Sequence, residues 1–198
     1  MADLAELHSV VSVCEKCSLC KGRTHAVPGE GPQNAEIMFI GEGPGFYEDQ
    51  QGRPFVGPAG KFLEELLMSI GLRRDDVYIT NVIKCRAPGN RDPLPAEIEA
   101  CNSWLEGQLE LIKPKMVVTL GRYSMARFFP KQTISKVHGT AKKVDERIIF
   151  AMYHPAAALH QQSLRNTIME DMKKIPSILV AAEEIPSEEQ KPQQLSMF

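Results

Sequence analysis

Five cysteines are the residues of this chain most clearly arranged for chemistry. Cys14, Cys17 and Cys20 occur in the segment CEKCSLC with two residues between neighbours, and Cys85 and Cys101 lie far along the chain. Thiolates at this spacing can bind one metal ion or cluster from a tight turn, and two distant cysteines can complete a set of four ligands. The spacing does not distinguish zinc from an iron–sulfur cluster, and scattered buried thiols are a further alternative.

A glycine-rich segment at residues 41–60, GEGPGFYEDQQGRPFVGPAG, is the second candidate for chemistry. Its six glycines and three prolines favour a loop whose backbone can approach a ligand closely. Phe55 in this loop could stack on a planar base or could anchor the loop on the core. Glu42 and Glu48 supply carboxylates that could position a water molecule. The segment therefore predicts part of an active site.

Two polar residues, Asn81 in TNVIKC and His154 in MYHPAAAL, follow later apolar runs. The Asn81 carboxamide offers one acceptor and two donors, which match the edge of an imide, although an asparagine can also cap the end of a strand. Asn81 lies at the carboxyl end of a predicted strand, His154 directly follows another, and the glycine-rich segment begins at the end of a third. Because three strand ends then converge, we expect a functional site there in preference to isolated structural roles.

The elements that must position these residues alternate along the chain. Apolar, β-branched runs predict strands at residues 36–41, 77–82, 116–121 and 148–153, and helical periodicity predicts helices at 62–70, 95–111, 122–129 and 163–182. We expect the remainder to be loop. This order predicts an α/β fold in three layers, with a mainly parallel sheet of four strands between helices. Such sheets bind ligands outside the carboxyl ends of their strands.

Length and composition predict a single domain at residues 1–182 and a flexible acidic tail at 183–198. The first residues lack the basic start and long apolar core of a signal peptide, and no run is long enough to span a membrane, so we expect a cytoplasmic protein whose cysteines stay reduced. Of the net charge of −2, the tail carries −3, which leaves +1 for residues 1–182. Basic residues cluster at Lys84, Arg86 and Arg91; this permits DNA binding, although solvated surface is the simpler interpretation.

Four segments together resemble the family 4 uracil-DNA glycosylases, the iron–sulfur type: residues 41–60, YITNVIKCRAPGNRDPLPAEIEAC at 78–101, VVTLGRYSMARFF at 117–129 and YHPAAAL at 153–159. The likeness extends from about residue 14 to residue 159, with the motifs in the family's order and spacing. It implies a uracil-DNA glycosylase-like α/β/α fold, a 4Fe-4S cluster and the hydrolytic removal of uracil from DNA in base excision repair.

The resemblance also implies roles for individual residues. It implies that the cluster is bound by Cys14, Cys17, Cys85 and Cys101, which leaves Cys20 as a surplus thiol. It implies that the uracil pocket is formed by Gly41, Glu42, Gly43, Phe55, Asn81 and His154. In this interpretation Phe55 stacks on the base, Asn81 reads its edge and His154 contacts O2. Glu42 or Glu48 orients the attacking water.

The last five residues, Gln194, Leu195, Ser196, Met197 and Phe198, resemble the short peptide by which bacterial repair and replication proteins bind the sliding clamp. A peptide at the end of a flexible tail can order when it docks. We otherwise expect a monomer without a membrane partner. Two competing classes are a non-catalytic metal-containing nucleic-acid-binding module and a nucleotide-dependent enzyme, although the chain lacks the GK[ST] phosphate loop of the latter.

Overall fold

A computed structural model describes residues 3–181. The predicted tail, including the peptide at 194–198, lies outside the described residues, as does residue 182. The centre of the fold is a sheet with the strand order β2-β1-β3-β5-β4. The strands are β1 (Ile37–Gly41), β2 (Tyr78–Asn81), β3 (Met116–Leu120), β4 (Ala141–Val144) and β5 (Arg147–Met152).

The predicted mainly parallel sheet is confirmed, but the predicted count of four strands is wrong. Strands β2, β1, β3 and β5 are parallel, and β4 adds a fifth strand antiparallel to β5. Its sequence AKKV was missed because it is short, half-buried and rich in lysine. Lysines are typical of edge strands, where they discourage pairing with other chains.

The helices of the described part of the chain are α1 (Leu4–Ser12), α2 (Phe46–Gln51), α3 (Pro58–Ser69), α4 (Pro95–Ile112), α5 (Arg122–Phe128), α6 (Ile134–Val137), α7 (Pro155–His160) and α8 (Ser163–Val180), with 3-10 turns at Ser18–Lys21, Arg74–Asp76 and Pro88–Asn90. Helices α3, α4, α5 and α8 were predicted with slightly different ends. Helix α2 contradicts the prediction of a continuous loop at residues 41–60. Its six residues are too few to show a periodicity, and Gly52 ends it in the left-handed conformation.

The sheet is buried on both faces, which explains its nearly continuous apolar strands. On one face Met38 of β1 belongs to the same apolar cluster as Leu105 of α4, and α1 and α5 contribute to that cluster. On the other face Phe39 of β1 belongs to a cluster with Leu63 of α3, together with residues of α8. The fold therefore has the three α/β/α layers that the sequence predicts.

The parallel strands bring the candidate residues to one edge of the sheet. Gly41 at the end of β1 is in register with Asn81 at the end of β2, and His154 follows the end of β5 by two residues. Among residues 3–181, no helix combines the length and the apolar character needed to cross a bilayer.

Candidate active site and cysteine cavity

A cavity of about 160 Å³ lies at the carboxyl edge of the sheet. Its lining combines the glycine-rich segment, the end of β2 and the start of α7: Gly43, Gly45, Glu48, Phe55, Ala59, Asn81, His154 and Ala156. The structure thus brings together four of the predicted uracil-pocket residues. We refer to this cavity as the base pocket.

Asn81 supplies the most unusual polar atom of the base pocket. The residue is 1% exposed, and its Oδ1 atom is a buried side-chain oxygen with no hydrogen-bond partner in residues 3–181. A buried acceptor left unpaired costs about 1–3 kcal/mol. That cost is recovered when a ligand in the pocket presents an N–H group to the oxygen.

The backbone carbonyl of Asn81 is held by Lys84, whose ammonium group is fully buried. Lys84 Nζ donates to the Asn81 carbonyl at 2.7 Å, to Thr80 Oγ1 at 2.6 Å and to Gln108 Oε1 at 2.7 Å. Burial lowers the pKa of Lys84 to about 7. These three contacts satisfy all the donors of an ammonium group and hold the end of β2 in place.

Gly41, the neighbour of Asn81 in the sheet, leaves no room for a side chain. A Cβ atom at this position would lie 2.4 Å from Asn81 Oδ1 and 2.6 Å from Cζ of Phe55. The Asn81 amide and the Phe55 ring therefore both lie close to the backbone of Gly41. Gly41 is thus next to two residues that line the base pocket, although its own atoms do not line the cavity.

Phe55 adopts a backbone conformation that is rare for a bulky residue, with φ of +52°. Arg74 holds this conformation, because its guanidinium donates to the carbonyls of Pro54 and, at 2.9 Å, of Phe55. Gly60 packs against the same peptide so closely that a Cβ there would lie 1.9 Å from the Phe55 carbonyl oxygen. The Phe55 ring is 5% exposed and stacks on the His154 ring, with 5.5 Å between centroids and 26° between planes.

His154 caps α7 and is held in one tautomer. Its Nδ1 atom accepts a hydrogen bond from the Ala156 amide at 3.1 Å, so in the neutral ring the proton is on Nε2. Burial lowers the pKa of His154 to about 4, against an opposing effect of the Glu48 carboxylate. At neutral pH the imidazole is therefore uncharged and presents an Nε2–H donor.

The structure places the two predicted carboxylates differently. Glu48 lines the base pocket, and its Oε1 atom accepts from the amides of Val56 at 2.9 Å and Gly57 at 2.8 Å. Glu42 does not line the pocket. Burial raises the pKa of Glu42, and the nearby Asp92 acts in the same direction. Glu48 therefore both supports the segment that follows Phe55 and presents a carboxylate to the cavity.

All five cysteines line a second cavity, between the amino-terminal segment, the loop after β2 and helix α4. Its lining consists of Val11, Cys14, Lys16, Cys17, Cys20, Lys84, Cys85, Ala100, Cys101 and Trp104. We refer to it as the cysteine cavity. Within residues 3–181 no group of three or more Cys, His, Asp or Glu residues is arranged to hold a single metal ion.

Nitrogen donors point at three of these sulfurs: Trp104 Nε1 at Cys14 (3.3 Å), Arg23 Nη1 at Cys85 (3.1 Å) and the Lys84 amide at Cys101 (3.3 Å). Burial raises the pKa of the Cys85 thiol and raises that of Cys101 to about 11. These two thiols therefore remain protonated at neutral pH unless a cation or cluster binds them. The N–H donors would stabilise the thiolates in that bound state.

The chain matches the family model described as the Uracil DNA glycosylase superfamily over residues 28–173. It is 49% identical over 190 residues to a type-4 uracil-DNA glycosylase of Sulfurisphaera tokodaii, covering 91% of this chain and 86% of that protein. It is 48% identical over 184 residues to the type-4 uracil-DNA glycosylase of Archaeoglobus fulgidus, covering 88% and 92%. The chain belongs to the uracil-DNA glycosylase superfamily.

A similar match comes from a bacterium. The chain is 43% identical over 174 residues to the type-4 uracil-DNA glycosylase of Thermotoga maritima, covering 85% of this chain and 91% of that protein. The matches span most of each relative. The family-model match at residues 28–173 includes every residue that lines the base pocket, together with Cys85 and Cys101 of the cysteine cavity.

Sequence reasoning missed two residues that shape the base pocket, Lys84 and Arg74, and it gave Gly60 no role of its own within the glycine-rich segment. The interpretation of Lys84 as solvated surface is wrong, because the residue is 1% exposed. Its position between the apolar pair Val82 and Ile83 and the cysteine that follows was the available signal. Nothing in the sequence distinguishes Arg74 from its neighbour Arg73.

Proposed function

We propose that this chain is a uracil-DNA glycosylase that hydrolyses the N-glycosidic bond of deoxyuridine in DNA and leaves an abasic site for base excision repair. The observation that supports this most strongly is the Oδ1 atom of Asn81, which within residues 3–181 is the buried side-chain polar atom left without a partner. Uracil carries an N3–H group, which is the donor that this atom lacks. The named activity of the type-4 relatives agrees with this chemistry.

Base selection follows from the Asn81 carboxamide. Its oxygen accepts from N3–H of uracil, and its NH2 group donates to O4. Cytosine presents an unprotonated N3 and an amino group at C4, so both hydrogen bonds would be lost. The amide oxygen would then face an acceptor, and the amide NH2 group would face a donor. Lys84 holds the Asn81 carbonyl, so the side chain projects from a fixed backbone position.

The target nucleotide must leave the duplex stack to reach this pocket, since the glycosidic bond is inaccessible within a helix. Phe55 supplies an aromatic face for the extruded base. Its backbone is held by Arg74 and by the close approach of Gly60. Such a platform is already in place before the base arrives, so little ordering is needed on binding.

His154 supplies the donor for the chemical step. As the C1′–N1 bond breaks, its electron pair moves onto the base and negative charge grows on O2, where the neutral Nε2–H of His154 donates. A fixed donor at a developing oxyanion contributes on the order of 100- to 1,000-fold in rate. The low pKa keeps the imidazole neutral, so no proton is transferred to the leaving base by this residue.

Glu48 is the carboxylate placed to orient the attacking water. Its Oε1 atom is occupied by two backbone amides, which fixes the carboxylate and leaves Oε2 for the water. The water oxygen bonds to C1′ as the base departs, and the water loses a proton to solvent. Glu42 lies outside the cavity lining and is not needed for this step.

We further propose that Cys14, Cys17, Cys85 and Cys101 bind a 4Fe-4S cluster, as the type-4 assignment of the relatives implies. The donor set fits, since four thiols line one cavity and three of them face N–H groups. The cluster supplies a cross-link between the amino-terminal segment, the loop after β2 and α4. In this arrangement Cys20 is surplus, and Cys20→Ser is expected to retain iron and colour while Cys101→Ser loses both.

The experiment that tests the function is base release from an oligonucleotide with one uracil, compared with matched oligonucleotides carrying cytosine or thymine. The wild-type protein is expected to release uracil alone. Asn81→Ala is expected to bind DNA but release little uracil, whereas Met68→Ala, on the exposed face of α3, serves as the matched surface control. Absence of uracil release by iron-loaded wild-type protein would contradict the proposal.

A further inference from the structure

Two large aromatic side chains, Phe46 and Tyr47, stand exposed on helix α2. They are 50% and 53% exposed, although residues of this size are usually buried or engaged in binding. Their rings contact each other edge to face, with 5.6 Å between centroids and 81° between planes. Neither residue belongs to the two apolar clusters of the described core, so packing of the core does not explain their position.

The pair lies in the chain between Gly45 and Glu48, two residues of the base pocket. Helix α2 follows Gly45 directly and contains Glu48, and both of these residues line the cavity. The Tyr47 ring packs against the segment that follows Phe55, because a Cβ atom on Gly57 would lie 3.1 Å from Tyr47 Cδ2. The exposed aromatic pair is therefore next to residues of the pocket wall, both along the chain and through Gly57.

A cation accompanies the aromatic pair. The Arg86 guanidinium lies over the Phe46 ring, 5.2 Å from its centroid, and its Nε atom donates to Asn90 Oδ1 at 2.6 Å. Arg86 belongs to the loop that follows β2 and lies five residues beyond Asn81. An aromatic face next to a guanidinium is the combination that binds single-stranded nucleic acid, in which bases stack and phosphates carry charge.

We propose that Phe46, Tyr47 and Arg86 form a platform for the nucleotides next to the extruded uracil in the same DNA strand. Adjacent bases stack on the two rings, and Arg86 neutralises a neighbouring phosphate. This inference rests on the proposed function, because it places the platform beside the uracil. Stacking of this kind tolerates any base sequence, since every base has a π face.

The platform favours single-stranded substrate. In a duplex the neighbours of the uracil remain stacked within the helix and gain less from an external aromatic surface. In a single strand those neighbours are free to stack on Phe46 and Tyr47. The affinity for a uracil-containing single strand should therefore be higher with these residues present than with the base pocket alone.

The test uses the double variant Phe46→Ala/Tyr47→Ala and an oligonucleotide with 2′-fluoro-deoxyuridine, whose glycosidic bond resists cleavage. We expect Kd for the single strand to rise about tenfold or more, with a smaller rise for the duplex. The affinity for free uracil, measured by inhibition, should not change, because the base pocket is intact. Phe46→Leu/Tyr47→Leu keeps apolar volume without the π faces and should also weaken single-strand binding, whereas Met68→Ala should not.

Arg86→Gln gives a separate readout. If Arg86 neutralises one phosphate, the slope of log Kd against log salt should decrease in magnitude by about 0.7 for a single strand. Unchanged single-strand affinity in both double variants would overturn the proposal, as would an equal loss of affinity for free uracil. Wild-type protein that binds single strands through these residues but releases no uracil would overturn the proposed function and leave the platform in place.

Discussion

Asn81 lines the base pocket and Cys85, four residues later, lines the cysteine cavity. The polar atoms of the two cavities nevertheless differ in their hydrogen bonding. In the base pocket Asn81 Oδ1 is buried without a partner. In the cysteine cavity N–H donors already face the sulfurs of Cys14, Cys85 and Cys101. The first arrangement selects a ligand that arrives and leaves, because the ligand completes the hydrogen bonds. The second suits a permanent anionic group.

Lys84 connects the two regions. Its ammonium group donates to the Asn81 carbonyl at 2.7 Å, while its backbone amide donates to Cys101 Sγ at 3.3 Å. One residue thus contacts both the residue proposed to select the base and a proposed cluster ligand. The comparison predicts that variants of the pocket alone change activity, variants of the cavity change iron content and stability, and Lys84 variants change both.

The largest effect is expected for His154→Ala, which removes the donor at O2. The single-turnover rate of uracil release should fall on the order of 100- to 1,000-fold, with unchanged iron content and a lower melting temperature, because the cap on α7 is lost. His154→Gln keeps an N–H donor and should recover part of the rate. An equal loss of iron in His154→Ala would contradict the separation of the two regions.

The second effect concerns specificity. Asn81→Asp replaces the NH2 group by an acceptor, so uracil release should fall about tenfold or more while cytosine release becomes measurable, because the carboxylate accepts from the cytosine amino group. Release of both bases is measured from matched oligonucleotides. A variant inactive on both bases, yet with normal iron content and melting temperature, would contradict the role of Asn81 in reading the base.

Lys84→Met should affect both regions. The apolar side chain fills the space but leaves the Asn81 carbonyl and Gln108 Oε1 with fewer donors, at a cost of about 1–3 kcal/mol in unfolding free energy. We expect a lower melting temperature and weaker inhibition by free uracil. Iron should also be lost faster to a chelator, because the Lys84 charge that favours the Cys101 thiolate is removed although the backbone amide remains. Lys113→Met, at an exposed position, is the matched control and should change none of these.

The smallest effect concerns the pH at which the single-turnover rate falls, which should lie below the ordinary histidine pKa of 6.5. Since burial lowers the pKa of His154 from 6.5 to about 4, the neutral, donating ring persists through pH 6 and pH 5. Below that range protonation of Nδ1 also breaks its hydrogen bond with the Ala156 amide. The single-turnover rate should therefore stay constant from pH 8 to pH 5 and fall as pH approaches 4. A decline centred near pH 6.5 would show that the imidazole titrates normally, and His154→Gln should lack this decline.

Sequence reasoning reached those features that periodicity and strand ends control. The convergence of residues 41–60, Asn81 and His154 follows from parallel strands, whose carboxyl ends share one edge. It missed β4 and the helices α1, α2, α6 and α7, because elements of four to nine residues show no clear period. It also missed the buried state of Lys84, since the burial of a charge depends on acceptors such as Thr80 that only the fold brings near.

The absence of a side chain at Gly41 has a consequence for the gene itself. Glycine codons begin with two guanines, and deamination of the cytosine opposite the second one converts the codon to that of aspartate or glutamate. Either residue would place a carboxylate where even a Cβ atom lies 2.4 Å from Asn81 Oδ1. The lesion that this protein is proposed to remove could therefore, if left in its own coding sequence, eliminate the activity that would have repaired it.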